Sequence, residues 1–537
     1  MKYNNKLLTI ITPVLFAITL ILGIIIGNKL KTGSDKEIVL YPQVNKLDAV
    51  LNYIVDEYVD SVSKDDLIEK TIPEVLQQLD PHSIYIPAKD LKEMNEPLEG
   101  NFDGIGIQFN IQNDTIMVIN TIPKGPSERV GIKAGDRIVE VNDSVIAGVG
   151  IKSNDVVKLL KGKRGTKVKV GIKRKGVKDM LEFTITRDKI PLESVDVAYM
   201  LTPDIGYVKI SKFARTTHRE FVNAVSKLKA KGMKKIVVDL RGNSGGYMDA
   251  ATSIADEFLD KGQLIVFTKG RNRKKEEIYA TSNGLLKEEP VVVLIDEWSA
   301  SASEILAGAI QDNDRGEIIG RRSFGKGLVQ EPTYFSDGSG LRLTIARYYT
   351  PTGRCIQKPY HDNFKDYYND INERYIHGEF TQKDSINFPD SLKYKTPKGK
   401  IVYGGGGIMP DYFVPADTEG VSEFLTTVLS KALIYKFAFE YADNNRKTLS
   451  KYKNWKEFDK YLDSQNLYPQ FLSFVKKQGI DTGIKGVESS KELILNYLKA
   501  YIARNILDDE GFYPIILSKD KTIKKAIEVL NSEKEEI

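Results

Sequence analysis

Three stretches of this sequence carry residue types suited to acyl transfer. The first is Trp298-Ser299-Ala300-Ser301-Ala302-Ser303-Glu304, which follows the apolar run 291–296. A strand that enters a turn of small residues and then a helix exposes a hydroxyl. It also offers the next backbone N–H groups to a ligand, with the positive end of the helix behind them. A hydroxyl nucleophile beside donors for an oxyanion is what acyl transfer requires. The same serines suit a plain helix cap, so this stretch alone leaves both readings open. The second stretch is Ser323-Phe324-Gly325-Lys326-Gly327. A lysine held between glycines beside a phenylalanine loses solvation, its pKa falls, and it becomes a base. A solvated loop lysine is the plainer alternative, and the Gly-x-x-x-x-Gly-Lys-Ser/Thr spacing of a phosphate loop is missing. The third is Asp239-Leu240-Arg241-Gly242-Asn243-Ser244-Gly245-Gly246. Glycines at the end of a strand let the backbone approach a substrate closely, in an oxyanion loop or a phosphate loop, although a plain turn reads the same way. No Gly-x-Gly-x-x-Gly follows, which argues against a dinucleotide site.

These stretches need a scaffold, and the hydrophobic pattern supplies one. From 195 to 356, strands at 206–210, 235–239, 291–296, 317–320 and 341–349 alternate with helices at 217–231 and 302–311, the order of an α/β layer structure. Ahead of it, residues 100–188 hold short β-like runs at 105–109, 116–119, 137–141, 167–172 and 181–186, with a short helix at 154–160. Residues 44–79 have helical spacing broken around 60–64, and Asp80-Pro81 ends the second helix because proline disfavours helix before it. Residues 360–400 are polar and aromatic without clear periodicity. After Gly404-Gly405-Gly406-Gly407 the pattern is helical, at 424–441, 455–466, 470–478 and 491–506.

The three motifs together, in sequence and in order, resemble the carboxyl-terminal processing peptidases, also called tail-specific proteases. The resemblance spans about residues 44–415. It implies a Ser-Lys dyad that works without histidine, with Ser301 at the nucleophile position and Lys326 at the base. Gln330, four residues beyond the lysine, would position it; on an extended strand i and i+4 share a face. The implied oxyanion donors are the backbone N–H groups of Ala302 and Gly246, with Ser299 and Ser303 in supporting or capping roles. Gly104-Ile105-Gly106-Ile107 resembles the carboxylate-binding loop of a PDZ domain, in which a peptide C-terminus meets backbone N–H groups and the peptide adds as a strand. The runs 131–138 and 141–143 resemble the PDZ strand region that follows. Two departures stand out: Ser244 occupies a position where relatives often have proline, and Cys355 one where they often have serine. His82, in Leu-Asp-Pro-His-Ser, matches a family segment before the PDZ module and reads as structural.

The expected fold is therefore a multidomain α+β chain. It comprises an N-terminal transmembrane anchor (1–31), a helical segment (40–97), a PDZ-like module (98–188), an α/β peptidase core related to crotonase and Clp protease (189–415), and a helical C-terminal domain (416–537). The resemblance implies a serine endopeptidase that needs neither metal nor cofactor. Its expected partners are protein substrates with apolar or unstructured C-termini, the membrane, and by extension a second copy of the chain or an activator. Rival readings are an inactive membrane-tethered PDZ adaptor and a crotonase-like acyl-CoA enzyme. The intact Ser301, Lys326 and Gln330 disfavour the first, and the PDZ-like module disfavours the second.

Composition agrees with this frame. At 537 residues the chain is too long for one core. Net charge is only +5, from 78 basic and 73 acidic residues, which argues against a dedicated nucleic-acid binder. The single Cys355 excludes an internal disulfide framework. Only His82, His218, His361 and His377 are available to a histidine-dependent hydrolase, and the last three read as surface residues. Residues 7–27 are mostly apolar and nearly uncharged, long enough for a bilayer of about 30 Å. With no clear cleavage site after them, they read as an uncleaved signal anchor. The expected location is the cell envelope: anchored in the cytoplasmic membrane with the catalytic part outside the cytoplasm (the periplasm), or exported if the signal is cleaved.

Overall fold

The computed structural model describes residues 17–22, 45–360, 364–383, 386, 389–483 and 485–532. Among these, no helix is long and apolar enough to cross a membrane. The expected anchor lies for the most part outside the described residues, and so does His361. The chain divides into two compact units, the first ending at Val75. The first unit holds the helix Lys46–Glu57 and most of the helix Lys64–Leu76, tied together by a Lys64–Asp48 ion pair of 2.7 Å.

The second unit is built on a six-stranded sheet. Its order is Val195–Met200, Ile205–Ile210, Lys235–Asp239, Val291–Ile295, Glu317–Gly320 and Tyr412–Phe413, antiparallel at the first pairing and parallel thereafter. Parallel strands are buried on both faces, which explains the uninterrupted Val-Val-Val-Leu-Ile run. Val238, Val293 and Ile295 pack with the helices Thr217–Ala230, Met248–Asp256 and Ala302–Asp312. Val237, Val292 and Leu294, on the opposite face, pack with Ile523, Ala526 and Leu530 of the helix Lys521–Ser532. That last helix was not anticipated from the sequence, yet it covers one face of the peptidase sheet.

A second sheet brings distant segments to the same place. Its central strand, Gly340–Tyr349, pairs with Ile84–Ile86 and Leu264–Lys269 and also with Leu328–Tyr334. The β module is a separate antiparallel sheet in the order Ile107–Gln112, Thr115–Thr121, Arg137–Val141, Lys167–Lys173 and Leu181–Thr186, with the helix Ser153–Leu160. Asn101–Gly104 pairs with Asp188–Pro191, so the chain enters and leaves the module through one two-stranded stem.

Three expectations need correction. The segment 360–400 contains the helix Phe364–Ile376. Its buried positions are Tyr367 and Arg374, so the inward face carries no aliphatic periodicity. The expected helix 424–441 is two helices, Glu423–Ser430 and Leu433–Leu449, because Ala432 adopts φ 53° between them. The first module strand starts at Ile107 rather than 105, since Gly106 turns the chain with φ 73°. The tail aromatics Phe458 and Phe471 are fully buried in a helical core of their own. This helical region also reaches both neighbours. Phe439 packs with Met117 and Ile119 of the β module, and Asp443 pairs with Arg137 at 3.2 Å. On the core side, Asp520 accepts from Arg241 at 2.8 Å and the Leu530 carbonyl accepts from Lys235 at 2.6 Å.

Candidate active site

Ser301 sits where the strand Val291–Ile295 gives way to the helix Ala302–Asp312, at φ 55° and ψ −114°. A non-glycine residue in such a conformation costs on the order of 1–3 kcal/mol, so its surroundings must impose it. A sharp strand-to-helix elbow of this kind lifts a serine hydroxyl clear of both elements. Asp296 Oδ1 accepts the N–H groups of Gly242 (2.9 Å) and Trp298 (3.1 Å). Ser299 Oγ accepts the Asp296 N–H (3.0 Å) and donates to the Leu240 carbonyl (2.9 Å). Ser303 Oγ donates to the Asn243 carbonyl (2.8 Å), which also accepts the Ala300 N–H (3.0 Å). The expected supporting serines therefore lock the elbow to the glycine loop.

Asn243, whose residue type and spacing point to no role of its own, organises that loop. It is fully buried, its Nδ2 donates to the Ile210 carbonyl (3.0 Å), and its Oδ1 accepts the Gly245 N–H (2.9 Å). Gly245 has φ 104°, and a Cβ there would stand 2.8 Å from Ser301 Cβ and 3.0 Å from the Ala302 nitrogen. Gly246 has φ 148°, and a Cβ there would strike the Phe213 carbonyl oxygen at 2.1 Å. The loop thus comes this close to Ser301 only as glycine. The N–H groups of Gly246 and Ala302 have no acceptor among the described residues. They are the expected oxyanion donors.

Lys326 reaches the same place from the loop ahead of Leu328–Tyr334. One carboxylate oxygen, Glu304 Oε2, accepts both the Ser301 N–H (2.8 Å) and the Lys326 N–H (2.9 Å). Its Oε1 accepts the Gly325 N–H (2.7 Å) and the Ser323 hydroxyl (2.5 Å). On the other side, Tyr348 Oη lies 3.1 Å from the Ser301 carbonyl and 2.7 Å from that of Lys326. Burial pulls the Lys326 ammonium below the ordinary lysine range; Arg342 adds to this, while Asp80 and Glu304 oppose it. Burial likewise pushes the Glu304 carboxyl up, against the donors that surround it. Lys326 Nζ donates to Gln330 Oε1 at 3.0 Å, and no hydrogen bond joins it to Ser301 Oγ. By its place in the sequence Glu304 is only a residue of the helix's first turn. Its position three residues after a helix-capping serine was the available signal.

Asp239 pairs with Arg241 at 2.7 Å, and its other side-chain partners are Tyr207 and Lys209 rather than Ser301, Lys326 or Glu304. Cys355 is a free, half-buried thiol whose pKa burial pushes up, an unfavourable state for a nucleophile. Among the described residues no cluster of three or more side chains suits a metal ion.

Comparison with known proteins bears on what this arrangement does. Peptidase family S41 matches residues 204–363, the PDZ domain matches 104–185, and a family of unknown function, DUF8443, matches 424–508. The carboxy-terminal processing protease CtpA of Bacillus subtilis is 34 % identical over 359 residues, 67 % of this chain and 76 % of its own length. This chain belongs to the carboxy-terminal processing proteases. The carboxy-terminal-processing protease of Bartonella bacilliformis is 37 % identical over 339 residues, 62 % of this chain and 76 % of that protein. The solved photosystem II D1 C-terminal processing protease is 26 % identical and covers 69 % of this chain and 87 % of its own, with a TM-score of 0.36.

The β module of this protease is accordingly a PDZ domain. Gly104, Ile105 and Gly106 are buried, and the Ile105 carbonyl accepts both the N–H (3.0 Å) and the hydroxyl (2.7 Å) of Ser127. The Ile105 and Gly106 N–H groups have no acceptor among the described residues. Ile107 begins the strand Ile107–Gln112, which lies at the edge of the PDZ sheet.

Proposed function

We propose that Ser301 is the nucleophile of this serine-type peptidase and Lys326 its general base and acid. Neutral Lys326 takes the proton from Ser301 Oγ as the oxygen adds to the scissile carbonyl. The oxyanion rests on the free N–H groups of Gly246 and Ala302. Collapse expels the amine, which takes the proton from Lys326, and leaves an acyl-enzyme. Water activated by the same lysine then hydrolyses the ester. Gln330 holds the lysine between these steps. The lysine's flexible stem carries Nζ from Gln330 to Ser301 while Glu304 and Tyr348 keep the two main chains still.

The observation that carries this reading is the single oxygen of Glu304 shared by the Ser301 and Lys326 N–H groups. Purified Ser301→Ala and Lys326→Ala should each fold as wild type. Both should lose cleavage of an unfolded protein with an apolar C-terminus; normal cleavage by either overturns the dyad.

In the same proposal, substrates are proteins with apolar or unstructured C-termini. The terminal carboxylate meets the Gly104-Ile105-Gly106-Ile107 loop through its free N–H groups, and the peptide extends the PDZ sheet beside Ile107–Gln112. Residues 7–27 anchor the chain in the cytoplasmic membrane with the catalytic part on the outer side. Their apolar, nearly uncharged composition supports this part.

A further inference from the structure

Gln330 makes a second hydrogen bond that the reaction above leaves unexplained. Its Nε2 donates to the main-chain carbonyl of His82, in the Asp80-Pro81-His82-Ser83 turn ahead of the PDZ domain. A glutamine amide has one accepting end and one donating end. To receive the lysine, Gln330 must turn Oε1 toward Nζ; flipped, it would set an NH₂ against an ammonium. The His82 carbonyl only accepts, so it holds the amide the productive way round.

The turn is itself held firmly. Asp80 is buried; its Oδ1 accepts the His82 N–H (2.8 Å), the Ser83 N–H (2.9 Å) and the Thr344 hydroxyl (3.1 Å), and its Oδ2 accepts the Ser83 hydroxyl (2.5 Å). Ser83 Oγ accepts the Thr344 N–H at 3.1 Å. Thr344 pairs with Gln330 across the sheet, and Ile84 pairs with Arg342 on the other edge of the same strand. Turn and amide are thus bolted to one strand. From outside, Tyr368 Oη donates to the Pro81 carbonyl (2.6 Å) and Tyr367 Oη meets His82 Nε2 (2.6 Å).

We propose that the Asp80-Pro81-His82-Ser83 turn is a positioning element of the lysine base: its main chain orients Gln330, and the buried Asp80 carboxylate holds that main chain in place. The inference rests on the dyad reading above. The charged and titratable groups acting on Lys326 are Asp80 and His82 from the turn, Arg342 from the central strand and Glu304 from the nucleophile helix. Asp80 is the largest of the influences that keep the ammonium charged. Without it, burial and Arg342 lower the lysine further.

The test is Asp80→Asn in the full chain, assayed with a short peptide whose cleavage does not need the PDZ domain. Misplacing a catalytic group by about 1 Å costs on the order of 100-fold. The expected loss is about that size, in kcat rather than KM, with the acid limb of the kcat profile displaced to lower pH. Thr344→Val removes one support of the turn and should give a smaller loss of the same kind; it serves if Asp80→Asn does not fold. A folded Asp80→Asn with wild-type kcat overturns the inference. So does a kcat loss with the acid limb unmoved, which would leave Asp80 a purely structural part. Ser301→Ala and Lys326→Ala are measured alongside. If they remain active, the dyad reading fails; if they are dead and Asp80→Asn is normal, only this inference fails.

Discussion

The Ser301 elbow and the PDZ loop are built on the same device. Each is a glycine turn that leaves two backbone N–H groups without an acceptor among the described residues: Gly246 and Ala302 at the elbow, Ile105 and Gly106 in the PDZ domain. They differ in what stands behind those groups. The elbow is braced by buried side chains from several elements: Asn243, Ser299, Ser303, Glu304 and Tyr348. The PDZ loop is braced by Ser127 and its own strands. On the proposed reading, the elbow must meet a charge that exists only during the reaction, so its donors have to be fixed beforehand. The PDZ loop meets a permanent carboxylate, whose peptide brings a whole strand of hydrogen bonds with it. Bracing therefore scales with how brief the charge is.

The largest expected effect breaks the braced side. Glu304→Ala leaves the N–H groups of Ser301, Gly325 and Lys326 and the Ser323 hydroxyl without their acceptor. Each unpaired buried group costs roughly 1–3 kcal/mol, although relaxation and water recover part of that sum. Activity should fall about 10²–10³-fold, the scale of losing an oxyanion donor. Melting temperature should fall with it, as calorimetry can check. Glu304→Gln keeps the shape and should recover part of the stability. Wild-type activity in Glu304→Ala would mean the elbow needs no bracing, and the contrast with the PDZ loop would collapse.

Acid provides a second lever that separates the two sites. Burial, with Lys326 and then Lys358 adding to it, lowers the His82 pKa to about 4 against the opposing charge of Asp80. An unfolded chain takes up that proton below about 6.5, the native ring only below about 4, so the unfolded state binds more protons in between. Stability therefore falls as pH drops from about 6.5 to 4, by at most about 3 kcal/mol, less where solvent still reaches the ring. His82→Phe should flatten this part of the curve of melting temperature against pH. The sequence has no histidine between 104 and 185, so peptide binding by the PDZ loop should change little over the same range.

The contrast between the two sites also explains what the sequence disclosed. Ser301, Lys326 and the glycine loop were legible because three short runs occur together and in order; each run alone left a plainer reading open. Glu304 was not, because its role depends on a loop arriving from Ser323 to Lys326. His82 was read as structural; nothing local says that its carbonyl faces Gln330. In the fold, strands such as Lys235–Asp239 were read to the residue because apolar runs bounded by turns are local signals. The helix Phe364–Ile376 was hidden because tyrosine and arginine form its buried positions. The break at Ala432 was hidden because no glycine or proline marks it.

On the lightly braced side, Gly106→Val should act through binding. Gly106 has φ 73°, and a Cβ there would lie 2.9 Å from Ile190 Cδ1 and 3.3 Å from Pro126 Cδ. The loop would shift and its free N–H groups would turn away. KM for a protein with an apolar C-terminus should rise about tenfold, equivalent to about 1.4 kcal/mol. Cleavage of a short peptide that does not use the PDZ domain should stay at the wild-type rate. A loss of both would join the two sites more tightly than the comparison allows.

The smallest effect tests what holds the two sites in relation. The helix Leu433–Leu449 touches the PDZ sheet through Phe439 and through the Asp443–Arg137 pair, while the same helical region grips the peptidase core at Arg241 and Lys235. If this region sets the PDZ domain's position, weakening one contact should slow cleavage of tailed proteins and spare short peptides. The Arg137 side chain is 35 % exposed, so the ion pair contributes about 0.2–1 kcal/mol. Asp443→Ala should therefore raise KM for tailed proteins by no more than about fivefold. Arg137→Ala should do the same, and the double variant should be no worse than either, because both remove one interaction. Additive losses would show that the two residues act separately, and Phe439→Asp would then be needed to ask whether the apolar contact alone carries the coupling. With Phe439 buried between Met117 and Ile119, its charged replacement should exceed either ion-pair variant, since an unpaired carboxylate would have to leave that contact for water.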